Sequence, residues 1–308
     1  MLINRKIIVV GSTNMDMVVR TNHFPAAGET VLGGKFYMNL GGKGANQAVA
    51  AARLGATVQF ISSVGNDIFG KDALQQFKNE NIDISAVRID QNEKTGVALI
   101  TVDINAENTI VVASGANENL YFDNLTELDN HISRGSIVLM QLEIPLNTIE
   151  KICVHAKEKG ATVILNPAPA QMLTPAILQS LDIITPNQHE AELLSGVKVV
   201  DIHSAELAAI KLRDLGPKSV IITMGKEGAF LLTSEEKRHF PAIKVKPIDT
   251  TAAGDVFNGA LVAGLSQGIS LVECIVFANR AAAIAVTRQG AQDSAPTLQE
   301  MEIFNNHS

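Results

Sequence analysis

The sequence predicts an α/β fold: a mostly parallel central sheet flanked by helices, with a small β-sheet lid. Three observations predict it. Short, wholly apolar runs recur along the chain, the pattern of strands buried on both faces. Segments with helical spacing lie between many of them. Two stretches break that rhythm with partial alternation, which suits a sheet with one solvated face.

In chain order, the strand-like runs are 7–10, 58–62, 137–142, 163–165, 183–185 and 220–224. The helical segments are 45–54, 68–77, 146–156 and 205–215. Gly55, Gly160 and Gly216 follow three of these, where a helix terminus favours glycine. Residues 17–40 contain β-prone pieces at 17–19 and 30–32, separated by Pro25 and several glycines. Residues 95–114 read as a hairpin, with a polar turn through 103–108. These two stretches together are expected to form the lid over one edge of a single domain spanning 1–308. No repeat, low-complexity tract or linker interrupts the chain.

Composition narrows the classes of function. With 308 residues, 46% of them hydrophobic and 19% charged, the chain can bury a large core. Its formal net charge is −7 and it has no basic run, which argues against nucleic acid as a partner. A small phosphorylated ligand stays compatible, because backbone N–H groups and a metal ion neutralise charge locally. The two cysteines, Cys153 and Cys274, sit among apolar residues and read as buried free thiols. No apolar run is long enough for a membrane span. The N-terminus lacks a signal-peptide cleavage pattern, so a cytoplasmic location is expected.

The strongest motif is Asp249-Thr250-Thr251-Ala252-Ala253-Gly254-Asp255-Val256-Phe257-Asn258-Gly259-Ala260. A helix opening near Asp255 would offer the N–H groups of Ala252, Ala253 and Gly254 to an anion. Asp255 at that end would accept a proton from an alcohol attacking a phosphate. Local spacing alone also allows Asp255 to be a simple helix cap. In Gly41-Gly42-Lys43-Gly44-Ala45-Asn46-Gln47-Ala48, the glycines let a ligand lie against the main chain. Lys43 and Asn46 supply donors for sugar oxygens; the alternative is a glycine turn with Lys43 solvated. Asn14 and Asp16 follow the first strand, where α/β sheets place ligands. A carboxylate there accepts from adjacent hydroxyls, which favours a polyol.

These two long motifs resemble those of the ribokinase-like carbohydrate kinases, and the likeness runs over essentially the whole chain. The resemblance implies MgATP-dependent phosphorylation of the primary (O5) hydroxyl of D-ribose, with Asp255 as base and an anion hole at Ala252, Ala253 and Gly254. It implies that Asn14, Asp16, Gly42, Lys43, Asn46 and Glu143 contact the sugar. Without it, Glu143 reads as a solvated strand end. Asn187-Gln188-His189-Glu190 is similar to the family's Asn-x-x-Glu motif, which links Asn187 to phosphate and Glu190 to hydrated Mg²⁺. The same spacing is that of a capping box, and both roles can hold. Thr223-Met224-Gly225-Lys226-Glu227-Gly228 resembles the family's nucleotide turn, with ATP phosphates near Thr223 and Gly225, adenine near Asn279, and Gly228 and Gly254 also implied in nucleotide binding. It is not a Walker loop. An activating K⁺ is implied beside Asp249, Thr251, Ala285, Arg288, Gly290 and Ser294; an ordinary structural loop is the alternative. A lid would keep water from accepting the phosphoryl group, and the family pairs into homodimers through it.

Two rivals follow. One is the same chemistry on 2-deoxyribose, fructose or a nucleoside; the last would want aromatic stacking, and the chain has no Trp and two Tyr. The other is a non-catalytic sugar or nucleotide sensor, which has no need of Asp255.

Overall fold

The computed structural model describes residues 5–105 and 107–305. From the N-terminus the elements are β1 (Ile7–Val10), β2 (Asn14–Arg20), β3 (Lys35–Gly41), α1 (Lys43–Arg53), β4 (Val58–Gly65), α2 (Ile68–Asn79) and β5 (Asp83–Asp90). Then come β6 (Gly96–Val102), β7 (Asn108–Ala113), β8 (Ile137–Met140), α3 (Leu146–Glu158), β9 (Thr162–Leu165), α4 (Pro175–Ser180) and β10 (Ile183–Ile184). The last third holds α5 (Gln188–Ser195), α6 (Ile202–Asp214), β11 (Ser219–Thr223), β12 (Ala229–Leu232) and β13 (Lys237–Phe240). Helices α7 (Ala253–Ser266), α8 (Leu271–Ala285) and α9 (Leu298–Asn305) complete it.

The main sheet has nine strands in the order β13-β12-β11-β10-β9-β8-β1-β4-β5. It is parallel from β5 to β11, and only β12 and β13 join by antiparallel pairing. The Ile-Ile-Val-Val run of β1 shows why the central strands are continuously apolar. Successive side chains point to opposite faces. Ile7 and Val9 therefore enter one core, with α1, α2, α7 and α8, while Ile8 and Val10 enter the other, with α3 to α6. Both faces of β1 are buried, so apolar side chains are favoured at every position of it.

The smaller sheet has four strands in the order β3-β2-β6-β7, with β2 and β6 parallel and the outer pairs antiparallel. Residues paired across a ladder share a face. Asp16, Asn39 and Ala98 thus stand on the side of the main domain. Met17, Met38, Leu99 and Val111 form a row on the other side, where Met38, Leu99 and Val111 are exposed.

The small sheet differs from the sequence reading in two ways. Residues 30–32 are not a strand. Pro25, Gly28 and Gly33 hold 21–34 in turns and open chain, and the pairing strand is β3 at Lys35–Gly41. Strand β2 begins at Asn14, so Asn14 and Asp16, expected just beyond the end of β1, belong to the small sheet itself. In the main sheet, β5, β12 and β13 add to the strands that the apolar runs predict. Strands β5 and β13 form the two edges, and an edge strand tolerates exposed charged residues among its apolar ones. Strand β12 is a buried four-residue run that folds straight back on β11.

Candidate active site

The site is assembled from the C-terminal ends of the parallel strands and the N-terminal ends of α1, α5 and α7. Such ends face one crevice in an open α/β sheet. Helix α7 opens at Ala252, a non-glycine residue held at φ 58°. The N–H groups of Ala252, Gly254 and Asp255 have no partner among the described residues. The N–H of Ala253 differs from expectation: it turns back to the Thr250 carbonyl at 3.3 Å. Three unpaired N–H groups still lie at the positive end of the helix dipole, an environment that attracts phosphate.

Asp255 lies on the first turn of α7 and is 6% exposed. It does not cap the helix. Its Oδ2 accepts from Asn46 Nδ2 at 3.0 Å and its Oδ1 from Gln47 Nε2 at 2.9 Å. Burial raises the Asp255 pKa; the Lys43 charge and the two amide donors oppose that rise. Asn46 Oδ1 is buried without a partner, an acceptor left open for a hydroxyl.

The other expected sugar contacts gather around this carboxylate. Glu143 Oε2 accepts from Ser12 Oγ at 2.6 Å and from the Lys43 N–H at 3.0 Å, so it caps the start of α1. The Lys43 ammonium stands 3.9 Å from Glu143 Oε1. Gly42 has φ 88°, and a Cβ there would come within 2.8 Å of the Asn14 backbone nitrogen. At Gly41 a Cβ would lie 2.2 Å from Asp16 Oδ2. Only glycine leaves room for that carboxylate.

Four carboxylates, Asp16, Glu143, Glu190 and Asp255, act on one lysine. Burial pushes Asp16 up to about 7, with Glu143 and Asp255 adding to the rise and Lys43 opposing it. Burial also pushes Glu190 up to about 7, against the Asn187 N–H and Lys43. Burial alone would lower the Lys43 pKa, but Asp255, Glu143, Glu190 and Asp16 together raise it. The pocket is short of positive charge, which suits an incoming cation.

Asn187 and Glu190 do form the capping box at α5: Asn187 Oδ1 accepts the Glu190 N–H, and Glu190 Oε2 accepts the Asn187 N–H. Both Glu190 oxygens accept from Asn187, which leaves lone pairs suited to a water shell rather than to a bare ion. Beside it a cavity of about 920 Å³ is lined by Asn187, Thr223, Gly225, Gly228, Gly254 and Asn279, among others. The volume is that of a nucleotide-sized ligand site.

The residues expected around K⁺ lie behind the α7 turn. Asp249 Oδ1 accepts from the Thr251 N–H and hydroxyl, and Asp249 Oδ2 accepts from the Gly290 N–H at 3.2 Å. The carbonyls of Asp249, Thr251, Arg288 and Gly290 accept no hydrogen bond among the described residues. Such a donor set fits a loosely held monovalent cation. Two candidates are committed elsewhere: the Ala285 carbonyl accepts the Arg288 N–H, and the Ser294 hydroxyl donates to the Ala291 carbonyl. The Arg288 guanidinium pairs with Glu300.

A model of the pfkB family of carbohydrate kinases matches residues 4–298. This chain belongs to that family. It is 45% identical over 304 residues to a ribokinase of Haemophilus influenzae, covering 99% of both chains. A deoxyribokinase of Salmonella typhi is 34% identical over 302 residues, covering 98% of each. Among solved structures, an Arabidopsis thaliana ribokinase complexed with ribose and ATP superposes with a TM-score of 0.91 at 30% identity, covering 99% of each chain.

Several residues the sequence reading missed complete the site. Ser12, Gln141, Asn166, Thr185 and Asn258 are buried polar side chains bonded to the residues above or to one another. Each closely follows a strand or sits one helical turn from Asp255, and that placement is their only signal. Asn117 carries no such signal: its Nδ2 donates to Asn14 Oδ1 at 2.8 Å and fixes how Asn14 presents its amide.

Proposed function

We propose that the chain transfers the γ-phosphoryl group of ATP to the primary hydroxyl of D-ribose, giving ribose 5-phosphate, with Asp255 as general base. One observation carries this reading. Asp255 is a buried carboxylate beside unpaired helix N–H groups, with the polar side chains of Asn46, Lys43, Asp16 and Glu143 around it and the cavity of about 920 Å³ on the Gly254 side. That is the arrangement in-line transfer to an alcohol needs. The relative named ribokinase and the ribose–ATP complex support ribose as acceptor and ATP as donor.

In this reading Asn14, Asp16, Gly42, Lys43, Asn46 and Glu143 orient the sugar. Asp255 takes the hydroxyl proton as oxygen attacks phosphorus. The N–H groups at the start of α7 stabilise charge on the transferring group, and little covalent chemistry is asked of the protein. Asn187, Thr223, Gly225, Gly228 and Asn279 hold the nucleotide. A magnesium ion bound with ATP would neutralise phosphate charge, and Glu190 would hold its waters. Potassium would sit among the carbonyls of Asp249, Thr251, Arg288 and Gly290 and steady the turn that carries the anion hole.

The small sheet, about 17–40 and 95–114, serves as the lid of a single kinase domain and excludes water from the sugar. Its exposed Met38, Leu99 and Val111 support pairing of two copies through the lid. No helix among the described residues is long and apolar enough to cross a membrane. We place the enzyme in the cytoplasm, where its ATP is.

The test is ADP release from MgATP with ribose, 2-deoxyribose, fructose or adenosine, each with and without potassium. Ribose-dependent release stimulated by potassium is expected. Faster release with 2-deoxyribose would keep Asp255 and replace the acceptor. Ribose binding without any release would make the protein a sensor.

A further inference from the structure

Behind Asp255 lies a chain of buried side chains in which both ends of Asn166 and Gln47 have determined partners, while Gln141 uses its Nε2 and leaves its Oε1 unpaired among the described residues. It starts from the Thr185 backbone carbonyl, which can only accept. Asn166 must therefore turn its Nδ2 towards Thr185, at 3.1 Å, and its Oδ1 away. That oxygen accepts from Gln47 Nε2 at 3.0 Å. On the far end of the same amide, Gln47 Oε1 accepts from Gln141 Nε2 at 2.7 Å. Both ends of Gln47 are thus fixed, and its second N–H has one direction left, to Asp255 Oδ1 at 2.9 Å.

A second branch leaves the same threonine. The Gly254 carbonyl can only accept, so Asn258 turns its Nδ2 to it, at 2.8 Å, and its Oδ1 to Thr185 Oγ1, which donates at 2.6 Å. In a planar trans peptide the N–H points opposite to the C=O. Pinning the Gly254 carbonyl therefore aims the Asp255 N–H away from Asn258, out of the helix end. Gln47, Gln141, Thr185 and Asn258 are each no more than 1% exposed and Asn166 is 7% exposed, so little solvent competes for these bonds.

The packing of α7 on α1 makes the Gln47 contact. At Gly259, one turn beyond Asp255, a Cβ would come within 2.6 Å of Ala50 Cβ and 2.8 Å of the Gln47 carbonyl. The bare glycine lets the two helices approach closely enough for Asp255 to reach Gln47.

We propose that Gln47 is a positioning residue: held in one orientation by Asn166 and Gln141, it presents a donor to Asp255 Oδ1 and leaves the free lone pairs of the carboxylate for the sugar hydroxyl. Gln47 Nε2 on Oδ1 cannot become an acceptor, whereas Asn46 on Oδ2 has an unpaired Oδ1 and is not held in the same way. A proton arriving on Oδ1 therefore lands on the side away from Gln47. The charged groups acting on Asp255 are Lys43 on α1, Glu143 after β8, Asp16 on β2 and Glu190 on α5. None of them touches Gln47 by a hydrogen bond, so the effect of the amide separates from theirs. The inference rests on Asp255 being the base in the function proposed above.

The test replaces Gln47 by methionine, of similar length but without a donor, and separately Asn166 by alanine, which removes the group that orients Gln47, together with its bond to the Thr185 carbonyl, but leaves the Gln47 donor in place. Carbon-13 carboxyl NMR, with Asp255→Asn for assignment, follows the Asp255 titration in parent and variants without any need for turnover. Losing a donor to the carboxylate should move that titration up by about one pH unit or more in Gln47→Met, and by less in Asn166→Ala. Single-turnover transfer to ribose at neutral pH should fall by about 10²-fold in Gln47→Met and recover as pH rises, with the ribose KM little changed. An Asp255 titration that does not move in either variant overturns the proposal. So does a rate that falls by the same factor at every pH, as a merely structural role would give. If the parent transfers nothing to ribose, the proposed acceptor is wrong, while the NMR titration still judges Gln47.

Discussion

Asn46 and Asp255 are 209 positions apart in the chain and share a hydrogen bond of 3.0 Å. The bond uses one end of the Asn46 amide and leaves Oδ1 buried and unpaired. One side chain thus serves the Asp255 carboxylate at one end and an open acceptor position at the other.

Asn46→Ala should therefore impair both functions. The ribose KM should rise by about tenfold for one lost hydrogen bond, and kcat should fall as well. Steady-state kinetics over a range of ribose concentrations measures both. A change in KM alone would mean that the contact to Asp255 carries no weight.

Gly259→Ala should loosen the packing of α7 on α1. Ala50 Cβ would stand 2.6 Å from the new methyl group, and backbone atoms of Gln47 and Ala51 lie within 2.9 Å. Overpacking of this kind costs about 1–3 kcal/mol, which urea denaturation resolves. Turnover should drop too, because Asp255 rides on the displaced helix.

The ligand-free protein should lose stability as pH rises through about 7. Asp16 and Glu190 have folded pKa values of about 7, above the ordinary 3.8 and 4.5 of these side chains. A carboxyl whose pKa is raised by folding favours the folded state while protonated. That contribution is complete below the unfolded pKa and is lost as pH climbs through the folded one. Melting temperature should fall between about pH 5 and 7.5 and level off above that, because the loss runs from the unfolded pKa values to the folded ones. Asp16→Asn should flatten the fall and melt higher than the parent at pH 8.5, roughly one unit or more above the folded pKa, while binding ribose more weakly. A parent whose melting temperature rises across this window would contradict the charge balance described for the pocket.

The sequence disclosed much of this architecture for a physical reason. Strands buried on both faces must be continuously apolar, so β1, β8, β9 and β11 were legible. The glycine-rich start of α1 and the Gly254-Asp255 pair were legible because a ligand against bare backbone tolerates few residue types. What stayed hidden was the buried polar layer. Gln47, Asn166, Thr185 and Asn258 look like ordinary polar residues until the fold brings four separate segments together. Strand β3 was misplaced because its residues, Lys35-Phe36-Tyr37-Met38-Asn39-Leu40-Gly41, mix polar and apolar types as an exposed edge strand does.

Leu99→Lys should disrupt any pairing of copies through the small sheet. Leu99 is 55% exposed in the apolar row with Met17, Met38 and Val111. Sedimentation should show a dimer for the parent and a monomer for the variant. A parent that is already monomeric would remove the role assigned to that row.

The most direct test of the account is Asp255→Asn, with ribose affinity measured by calorimetry and phosphoryl transfer in a single turnover. Ribose should still bind to within a few-fold, while transfer should fall by about 10²–10⁴-fold, the usual worth of a general base. Transfer at close to the parent rate would contradict the account and require a different base.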